Sequence, residues 1–247
     1  MTQDGTAGVL LWHPAPPPAR GPRRGVSLAD IAGAAMEVAD TEGFDAVSMQ
    51  KVAARLHLTK MALYRYVSGK PELTAVMLDE AVEEPPVLTG PWRARAEEFA
   101  RRLSAVWTRH PWIPQNTVGD RLMGPREVGW VEAAVDIFTG TGLEPAERLD
   151  AASMLFGQMR VVHSAAASGT RPWTVDDEHD PLMRRLLGER ADRYPAMLAA
   201  MEATPDRPAG DVTTTFGLTC LLDGLERVIE ARAGRGQRSA VTDTQRQ

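Results

Sequence analysis

Two cations, a thioether and a phenol fall on one face of a short predicted helix near the N-terminus. The helix begins after Thr59, and at 100° per residue Lys60, Met61, Tyr64 and Arg65 lie within an arc of about 140°. Ammonium and guanidinium groups donate hydrogen bonds to guanine edges and phosphate oxygens, and a thioether side chain can contact a thymine methyl. The chemistry available to this face is therefore recognition of double-stranded DNA.

Two short helices joined by a tight turn must position this face, within the stretch from Ser48 to Lys70. Val52 and Leu56 give the first helix an apolar stripe at i, i+4, and Leu63 and Val67 do the same for the second. Such a helix-turn-helix unit places its second helix in the DNA major groove.

Hydroxyl side chains mark the predicted helix starts. Ser48 and Thr59 can accept hydrogen bonds from the free amides of the helices that follow them. Ser27 and Asp30 form a capping-box pattern at the start of an earlier helix, and Gly43 suits its C-terminal cap. A three-helix head is therefore predicted.

The net charge of −5 is unevenly divided along the 247 residues. The segment 20–70 holds eight Lys or Arg against five Asp or Glu, so it carries +3 and the remainder carries −8. The lysines of the chain, Lys51, Lys60 and Lys70, all lie in that segment. Because local charge governs docking on a polyanion, a basic head on a larger acidic body is predicted.

Composition favours an all-α fold, since Ala and Leu are plentiful, aromatic residues make up only 6% and no long strand-like alternation occurs. The single cysteine, Cys220, excludes a disulfide within the chain and indicates a reducing compartment; we expect it to be a small buried residue. No run of 18 apolar residues could span a bilayer, and no signal-peptide core is present. A cytoplasmic location without membrane contact is expected.

Proline and glycine residues that interrupt helices, together with changes in composition, divide the chain into four predicted segments. The predicted segments are a disordered Pro/Arg-rich arm over 1–25, a helix-turn-helix DNA-binding domain over 26–72, a helical ligand-binding and dimerisation domain over 73–234, and a disordered tail over 235–247. Arg20, Arg23 and Arg24 of the arm could enter a minor groove, or they could add only non-specific attraction.

Motifs in both halves carry a family resemblance. The head contains an alanine-rich helix ending in EGFDAVSM, then KVAARL, then LYRYVSGKPEL, which fits the pattern L-Y-x-[HY]-[FV]-x-x-K-x-x-L. It resembles the DNA-binding domain of the TetR family of transcriptional regulators. HPW, GLEPAERLDAASMLFG and FGLTCLLDGLERV in the body are similar to the tetracycline-repressor-like C-terminal domain. The resemblance implies a helical body, a homodimer formed through the last long helices, and an effector cavity.

The resemblance also implies roles for residues of the head. Those expected to read bases are Gln50, Lys60 and Met61; those expected to contact phosphates are Tyr64, Tyr66 and Lys70, with Ser48, Thr59 and Arg65 as secondary contacts. Tyr66 lies nearer the apolar side of its helix, so packing is an equal alternative for it. A dimer would place two such helices on half-sites about 34–36 Å apart, or a multiple of this spacing, on a palindromic operator.

Two departures from the family pattern matter. His57 stands in the turn where glycine is usual, and histidine tolerates a left-handed backbone better than most residues. Thr117 and Pro85–Pro86 align where the tetracycline repressor has histidines that hold its magnesium–drug complex. We therefore do not expect magnesium–tetracycline as the effector.

Tryptophans with polar neighbours in the middle of the body predict a largely apolar cavity with a few orienting groups. The residues expected to line it are Trp107, Trp112, Asn116, Trp130, Met154, Gln158, Met159 and His163. Ordinary core packing is the alternative for each of them. The expected ligand is a flat, largely apolar small molecule.

An apolar stripe on the last helix could form a four-helix dimer interface or an internal core. The residues in question are Thr215, Leu218, Leu222, Leu225 and Ile229, with Ala151, Leu155, Gln158 and Val162 on an earlier helix. The family resemblance favours the dimer.

Enzyme motifs are missing: the chain has no P-loop, G-x-S-x-G, dinucleotide fingerprint or H-E-x-x-H. The run Asp176–Asp180, with His179, could hold a metal but is more typical of a solvated acidic loop. We expect a ligand-responsive repressor without catalytic residues, metal or cofactor. The alternatives are an activator or a regulator that lacks a small-molecule effector.

Overall fold

The structure is a computed structural model that describes residues 11–13, 26–167, 181–202 and 215–244. All regular secondary structure in these ranges is helical, so the predicted all-α fold is confirmed. No helix in the described ranges is both long enough and apolar enough to cross a membrane.

The head comprises helices α1 to α3. These are α1 (Leu28–Glu42), a 3-10 turn (Phe44–Ala46), α2 (Met49–Arg55) and α3 (Lys60–Leu63). The Ser27 hydroxyl accepts from the Asp30 amide at 3.1 Å while the Asp30 carboxylate accepts from the Ser27 amide at 2.8 Å, which confirms the predicted capping box. The head encloses a small apolar core that includes Ile31, Ala35, Val38, Val52, Leu63 and Val67.

The turn between α2 and α3 has the predicted geometry. The hydroxyl of Ser48 accepts from the Lys51 amide and that of Thr59 accepts from the Ala62 amide, at 3.3 and 3.1 Å. His57 has φ +54°, so it takes the left-handed conformation for which glycine is the usual residue. The helix caps and the turn together fix the orientation of α3.

A single helix, α4 (Lys70–Ala81), passes from the head into the body and spans the predicted boundary between residues 72 and 73. Leu73, Met77 and Leu78 on this helix are fully buried. The helix ends at Ala81, because Glu83 has φ +59° and its left-handed backbone cannot continue an α-helix. Head and body thus share one continuous element.

The body is organised around α8, which contacts α5, α6, α7 and α11. The body helices are α5 (Trp92–Arg109), α6 (Ile113–Asn116), α7 (Pro125–Asp136), α8 (Pro145–Ala167), α9 (Pro181–Gly188), α10 (Pro195–Glu202) and α11 (Phe216–Thr244). Phe99 packs edge-on against both Trp130 and Phe156, with ring centroids 5.4 Å apart in each pair. These contacts join three of the helices through one aromatic cluster.

The apolar stripe of α11 lies inside the chain, which corrects the prediction that it forms the dimer interface. Leu218 and Leu222 are buried against α8, as is Leu155 on the facing helix, because the amphipathic helix must first cover the chain's own core. Cys220, predicted to be buried, is exposed on the opposite side of α11. An interface between subunits that includes α11 would therefore use its exposed side.

Described residues at both ends of the chain depart from the predicted disorder. In the N-terminal arm, Leu11 packs on the core and Trp12, although 43% exposed, donates its indole N–H to the Met123 carbonyl at 3.1 Å. At the C-terminus, α11 continues to Thr244, because adding residues to an existing helix costs far less than nucleating one. The arm's arginines, Arg20, Arg23 and Arg24, and the run Asp176–Asp180 lie outside the described residues.

Asp79 on α4 caps the first turn of α7. Its carboxylate accepts from the backbone amides of Arg126 at 2.8 Å and Glu127 at 3.2 Å, at the positive end of the helix. Burial raises the pKa of Asp79 against the lowering effect of those bonds. Gly124 leaves the space that this carboxylate occupies, since a Cβ at that position would overlap it.

We expect Gly124→Ala to destabilise the fold by about 2 kcal/mol, because the methyl group displaces the Asp79 carboxylate from the α7 amides. The measurement is the free energy of unfolding in urea. Gly33→Ala is the matched control, since a Cβ there meets nothing within 4 Å and the position lies within α1; it should stabilise the protein by about 0.5 kcal/mol. Equal stability of the Gly124→Ala protein and the unmodified protein would contradict the role assigned to Asp79.

Candidate DNA-binding face and effector cavity

The outer face of α3 makes few contacts with the rest of the chain. Met61 is 75% exposed and Tyr64 is 39% exposed, while Lys60 places its ammonium 5.8 Å from the Tyr64 ring centroid. The Met61 side chain is therefore open to contact by a partner. The structure thus brings the predicted DNA-contacting side chains together on one open surface.

Ion pairing distinguishes the cations of this face from their neighbours. Lys51 and Arg55 on α2 are paired with carboxylates of α1, at 2.5 and 2.6 Å. Within the described ranges, Lys60, Arg65 and Lys70 form no ion pair. The unpaired cations are the ones predicted to face DNA, so their charge is available to phosphates.

The remaining predicted contacts differ in exposure. Gln50 is exposed at the start of α2, and the hydroxyls of Ser48 and Thr59 already accept backbone bonds as helix caps. Tyr66 is half-buried and packs on the core of the head, as the packing alternative expects. Lys70 begins α4 with its ammonium 5.1 Å above the Phe44 ring.

A polar junction ties the head to the body. The Asp40 carboxylate on α1 accepts from His110 Nδ1 at 2.9 Å and from the Trp112 indole at 2.7 Å. Because a carboxylate can only accept, the His110 proton lies on Nδ1. Phe44 stacks on Trp112 with ring centroids 5.9 Å apart. The loop between α5 and α6 is therefore held to the head by two hydrogen bonds and an aromatic contact.

The body contains a cavity of about 320 Å³ between α5, α6, α7 and α8. Its size falls at the lower end for sites that bind small molecules. Most of its wall is apolar and includes Val82, Leu103, Trp107, Ile113, Met123, Trp130, Val131 and Phe156. Trp107 and Trp130 are two of the residues that the sequence predicted to line it.

The other six predicted cavity residues lie elsewhere. Trp112 and Asn116 line a separate cleft of about 310 Å³ between head and body. Met159 is fully buried in the core, and His163 stacks edge-on against Trp107 from behind. On the side of α8 away from the cavity, Met154 is 52% exposed and Gln158 packs on Gly217.

Polar residues of the cavity were missed by the sequence interpretation. Arg121, Glu127 and Arg160 all line it. For Arg160 the sequence did offer an indication, since this arginine stands within the otherwise largely apolar stretch GQMRVV of α8. The pairing of Arg121 with Glu127 had no signal, since it depends on how the loop before α7 folds back on the helix.

Burial perturbs two ionisable groups near the cavity. It lowers the pKa of the Arg160 guanidinium, with the charge of Arg121 acting in the same direction. It also lowers the pKa of His163, whose Nε2 lies 3.1 Å from the Ser104 hydroxyl, so this imidazole is neutral at neutral pH. In the described part of the chain, no three His, Cys, Asp or Glu side chains group closely enough to hold a metal ion.

Sequence profiles match both halves of the chain. The profile of bacterial regulatory proteins of the TetR family covers residues 25–77, and that of the tetracyclin repressor-like C-terminal domain covers residues 84–229. The HTH-type transcriptional repressor DrrR1 of Streptomyces coeruleorubidus is 35% identical over 241 residues, which span 91% of this chain and 86% of the relative. An HTH-type transcriptional regulator of Saccharopolyspora erythraea is 29% identical over 202 residues, 79% of this chain and 83% of the relative.

Solved structures share the fold at lower identity. Apo ActR of Streptomyces coelicolor superposes with a TM-score of 0.63 at 21% identity, over 89% of this chain and all of that one. ActR in complex with actinorhodin gives 0.62 at 19% identity, over 85% of this chain and 97% of that one. The two profile matches together cover most of the chain, which has a helix-turn-helix head and a helical body. The chain therefore belongs to the TetR family of DNA-binding transcriptional regulators.

Proposed function

We propose that this regulator is a cytoplasmic repressor that binds a palindromic operator as a homodimer and is released by a small, flat, largely apolar effector. The observation that carries the DNA half of the proposal is the open face of α3, where unpaired cations surround an exposed methionine. The cavity of about 320 Å³ supports the effector half.

Each residue of the DNA-contacting face has a distinct role in the proposal. Lys60, Met61 and Gln50 read base edges in the major groove. Tyr64 and Lys70 donate to phosphates, and Lys70 is aided by the positive end of α4. Arg65 adds a further phosphate contact. Base readers set the preferred sequence, whereas phosphate contacts set affinity for any sequence.

Related proteins support the direction of regulation and the presence of a ligand. DrrR1, at 35% identity, is named a repressor. ActR, which shares the fold, has been solved in complex with (S)-DNPA and with actinorhodin. We propose that this chain acts as a repressor, as DrrR1 does by its name, and that it binds a small molecule, as ActR does.

The coupling between cavity and head runs through α6 in this proposal. Ile113 and Thr117, at the two ends of this helix, both line the cavity. Trp112, the residue before the helix, donates to Asp40 of the head. A ligand that shifts α6 must therefore move the support of α1. It changes the operator affinity only if it binds one arrangement of the heads better than the other.

Exposed apolar residues on α8 and α11 are proposed as the dimer interface. Phe216 is 80% exposed, Val161 62%, Met154 52% and Val228 45%. All lie on the sides of the two helices that face away from the chain's own core. A patch of this kind on two long helices is suited to four-helix packing between two copies.

The operator contacts are tested by two substitutions. We expect Lys60→Ala to weaken specific binding by about 1–3 kcal/mol and to relax base preference, because it removes a donor to base edges. Lys70→Ala should weaken binding to all sequences by a similar amount and reduce the salt dependence. The measurement is fluorescence anisotropy with an operator that is first selected from genomic fragments and with a scrambled duplex.

Arg102→Ala is the matched control for charge, since Arg102 is an exposed cation on α5, outside the DNA-contacting face. It should bind both duplexes as the unmodified protein does. If Lys60→Ala and Lys70→Ala bind as tightly as this control, α3 and the start of α4 do not form the DNA interface.

Occupation of the cavity should be visible in tryptophan fluorescence. A flat aromatic compound that lowers operator affinity is expected to quench the emission, and Trp107→Phe should remove much of the quenching because Trp107 lines the cavity. Trp92→Phe is the control, since Trp92 packs on Phe138 outside the cavity wall. If no compound in a broad aromatic panel changes either fluorescence or operator affinity, the effector half of the proposal is wrong.

The dimer interface is tested by placing a charge on the patch. We expect Phe216→Asp to weaken self-association by about 3 kcal/mol, since the dimer would bury an unpaired carboxylate, and to lower operator affinity with it. Val87→Asp serves as the control because Val87 is 93% exposed but lies on neither α8 nor α11. Light scattering during gel filtration gives the masses, and an unchanged mass for Phe216→Asp would place the interface elsewhere.

A further inference from the structure

The ionisable residues that line the cavity carry a net positive charge. Three ionisable side chains line it: Arg121, Glu127 and Arg160. Two are cations and one is an anion, in a wall that is otherwise largely apolar. A charge taken into such surroundings is costly unless an opposite charge or several hydrogen bonds compensate for it.

Arg121 is compensated by Glu127. The two side chains form a bidentate pair, in which Arg121 Nη1 donates to Glu127 Oε2 at 2.8 Å and Nη2 donates to the other carboxylate oxygen. Glu127 is only 4% exposed and also accepts from the Gly124 amide. The charge of Arg121 is therefore matched within this pair.

Arg160 has only neutral partners. Its Nη1 donates to the Pro114 carbonyl and, at 2.7 Å, to the Thr117 hydroxyl, and its Nη2 lies 3.4 Å from the Thr117 carbonyl. These bonds use three of the five N–H groups of a guanidinium. Among the residues that the structure describes, no carboxylate lies within ion-pair distance of Arg160. Burial lowers the pKa of Arg160, and the charge of Arg121 acts in the same direction.

The place of Arg160 in the cavity makes the unpaired charge accessible to a ligand. The guanidinium carbon lies 5.6 Å from the centroid of the Trp107 ring, and both residues line the same cavity. A flat ligand against the indole would therefore have its edge next to a cation with donors to spare. Carboxylate and sulfonate groups match the planar fork of a guanidinium.

We propose that the effector is an aromatic anion, whose acidic group pairs with Arg160 while its ring system occupies the apolar wall beside Trp107. This inference rests on the proposed function, since it names the chemical class of the ligand for the same cavity. It adds a requirement that the apolar lining alone does not impose: a neutral compound of the same shape leaves Arg160 without an opposite charge.

The proposal also explains how binding reaches the head. The groups that Arg160 now holds, the Pro114 carbonyl and Thr117, belong to α6 and its C-terminal end. An anion that takes over some of these donors releases α6 from α8. The loop before α6 carries His110 and Trp112, which bond to Asp40, so the freed helix changes the support of α1.

The experiment uses two probes with the same aromatic skeleton, of which one carries a sulfonate group and the other does not. 8-Anilinonaphthalene-1-sulfonate is an aromatic anion, and N-phenyl-1-naphthylamine is its neutral counterpart; both become fluorescent in apolar surroundings. Dissociation constants are measured for the full-length protein and for Arg160→Met, Arg160→Lys and Arg102→Met. We expect the anion to bind the unmodified protein about 10-fold or more tightly than the neutral probe, as a charge-assisted pair implies.

The preference should disappear in Arg160→Met, persist in Arg160→Lys, and be unchanged in Arg102→Met, which removes an exposed cation of the same helical body. Equal binding of the two probes to the unmodified protein overturns the proposal, as does an unchanged preference in Arg160→Met or a failure of both probes to bind. The measurement on the unmodified protein stands even if Arg160→Met does not fold.

Operator binding measured in the same samples separates this inference from the proposed function. Selective binding of the anion through Arg160, with operator affinity unaffected by any aromatic ligand, supports the anion site and overturns ligand-controlled release. Release of the operator by neutral compounds as effectively as by their acidic counterparts overturns the anion requirement and leaves the proposed function in place.

Discussion

The arrangement of the two domains depends on one carboxylate. Asp40 lies near the end of α1 and receives hydrogen bonds from His110 and Trp112, which belong to the loop between α5 and α6 of the body. Its side chain is only 30% exposed, so these bonds are partly shielded from water and each contributes more than an exposed bond would. The continuous helix α4 and the hydrogen bonds to Asp40 thus join the head to the body at two places.

Features set by nearby residues were predictable from the sequence. The caps at Ser27, Ser48 and Thr59 depend on a side chain and an amide three residues apart, and the structure has all three. The left-handed turn at His57 follows equally local rules. The caps and the turn that orient the candidate DNA-contacting face could therefore be predicted from the sequence.

The cavity could not be predicted to the same extent, because its wall comes from four helices far apart in the sequence. The sequence indicated aromatic residues in the right region, and Trp107 and Trp130 do line the cavity. Met159 and His163 share their helix with Arg160 but point to other sides of it. An apolar stripe in the sequence of one helix does not identify the other helix that packs against it. The same limit explains why the stripe on α11, with Leu218 and Leu222, was assigned to a partner subunit and not to α8.

The contact between Trp12 and Met123 joins part of the N-terminal arm to the cavity wall. Met123 lines the cavity, and its carbonyl accepts a hydrogen bond from the Trp12 indole. Trp12 itself does not line the cavity, so its contact reaches the wall only through Met123. A truncation that removes Trp12 therefore takes a hydrogen bond from the backbone of one wall residue.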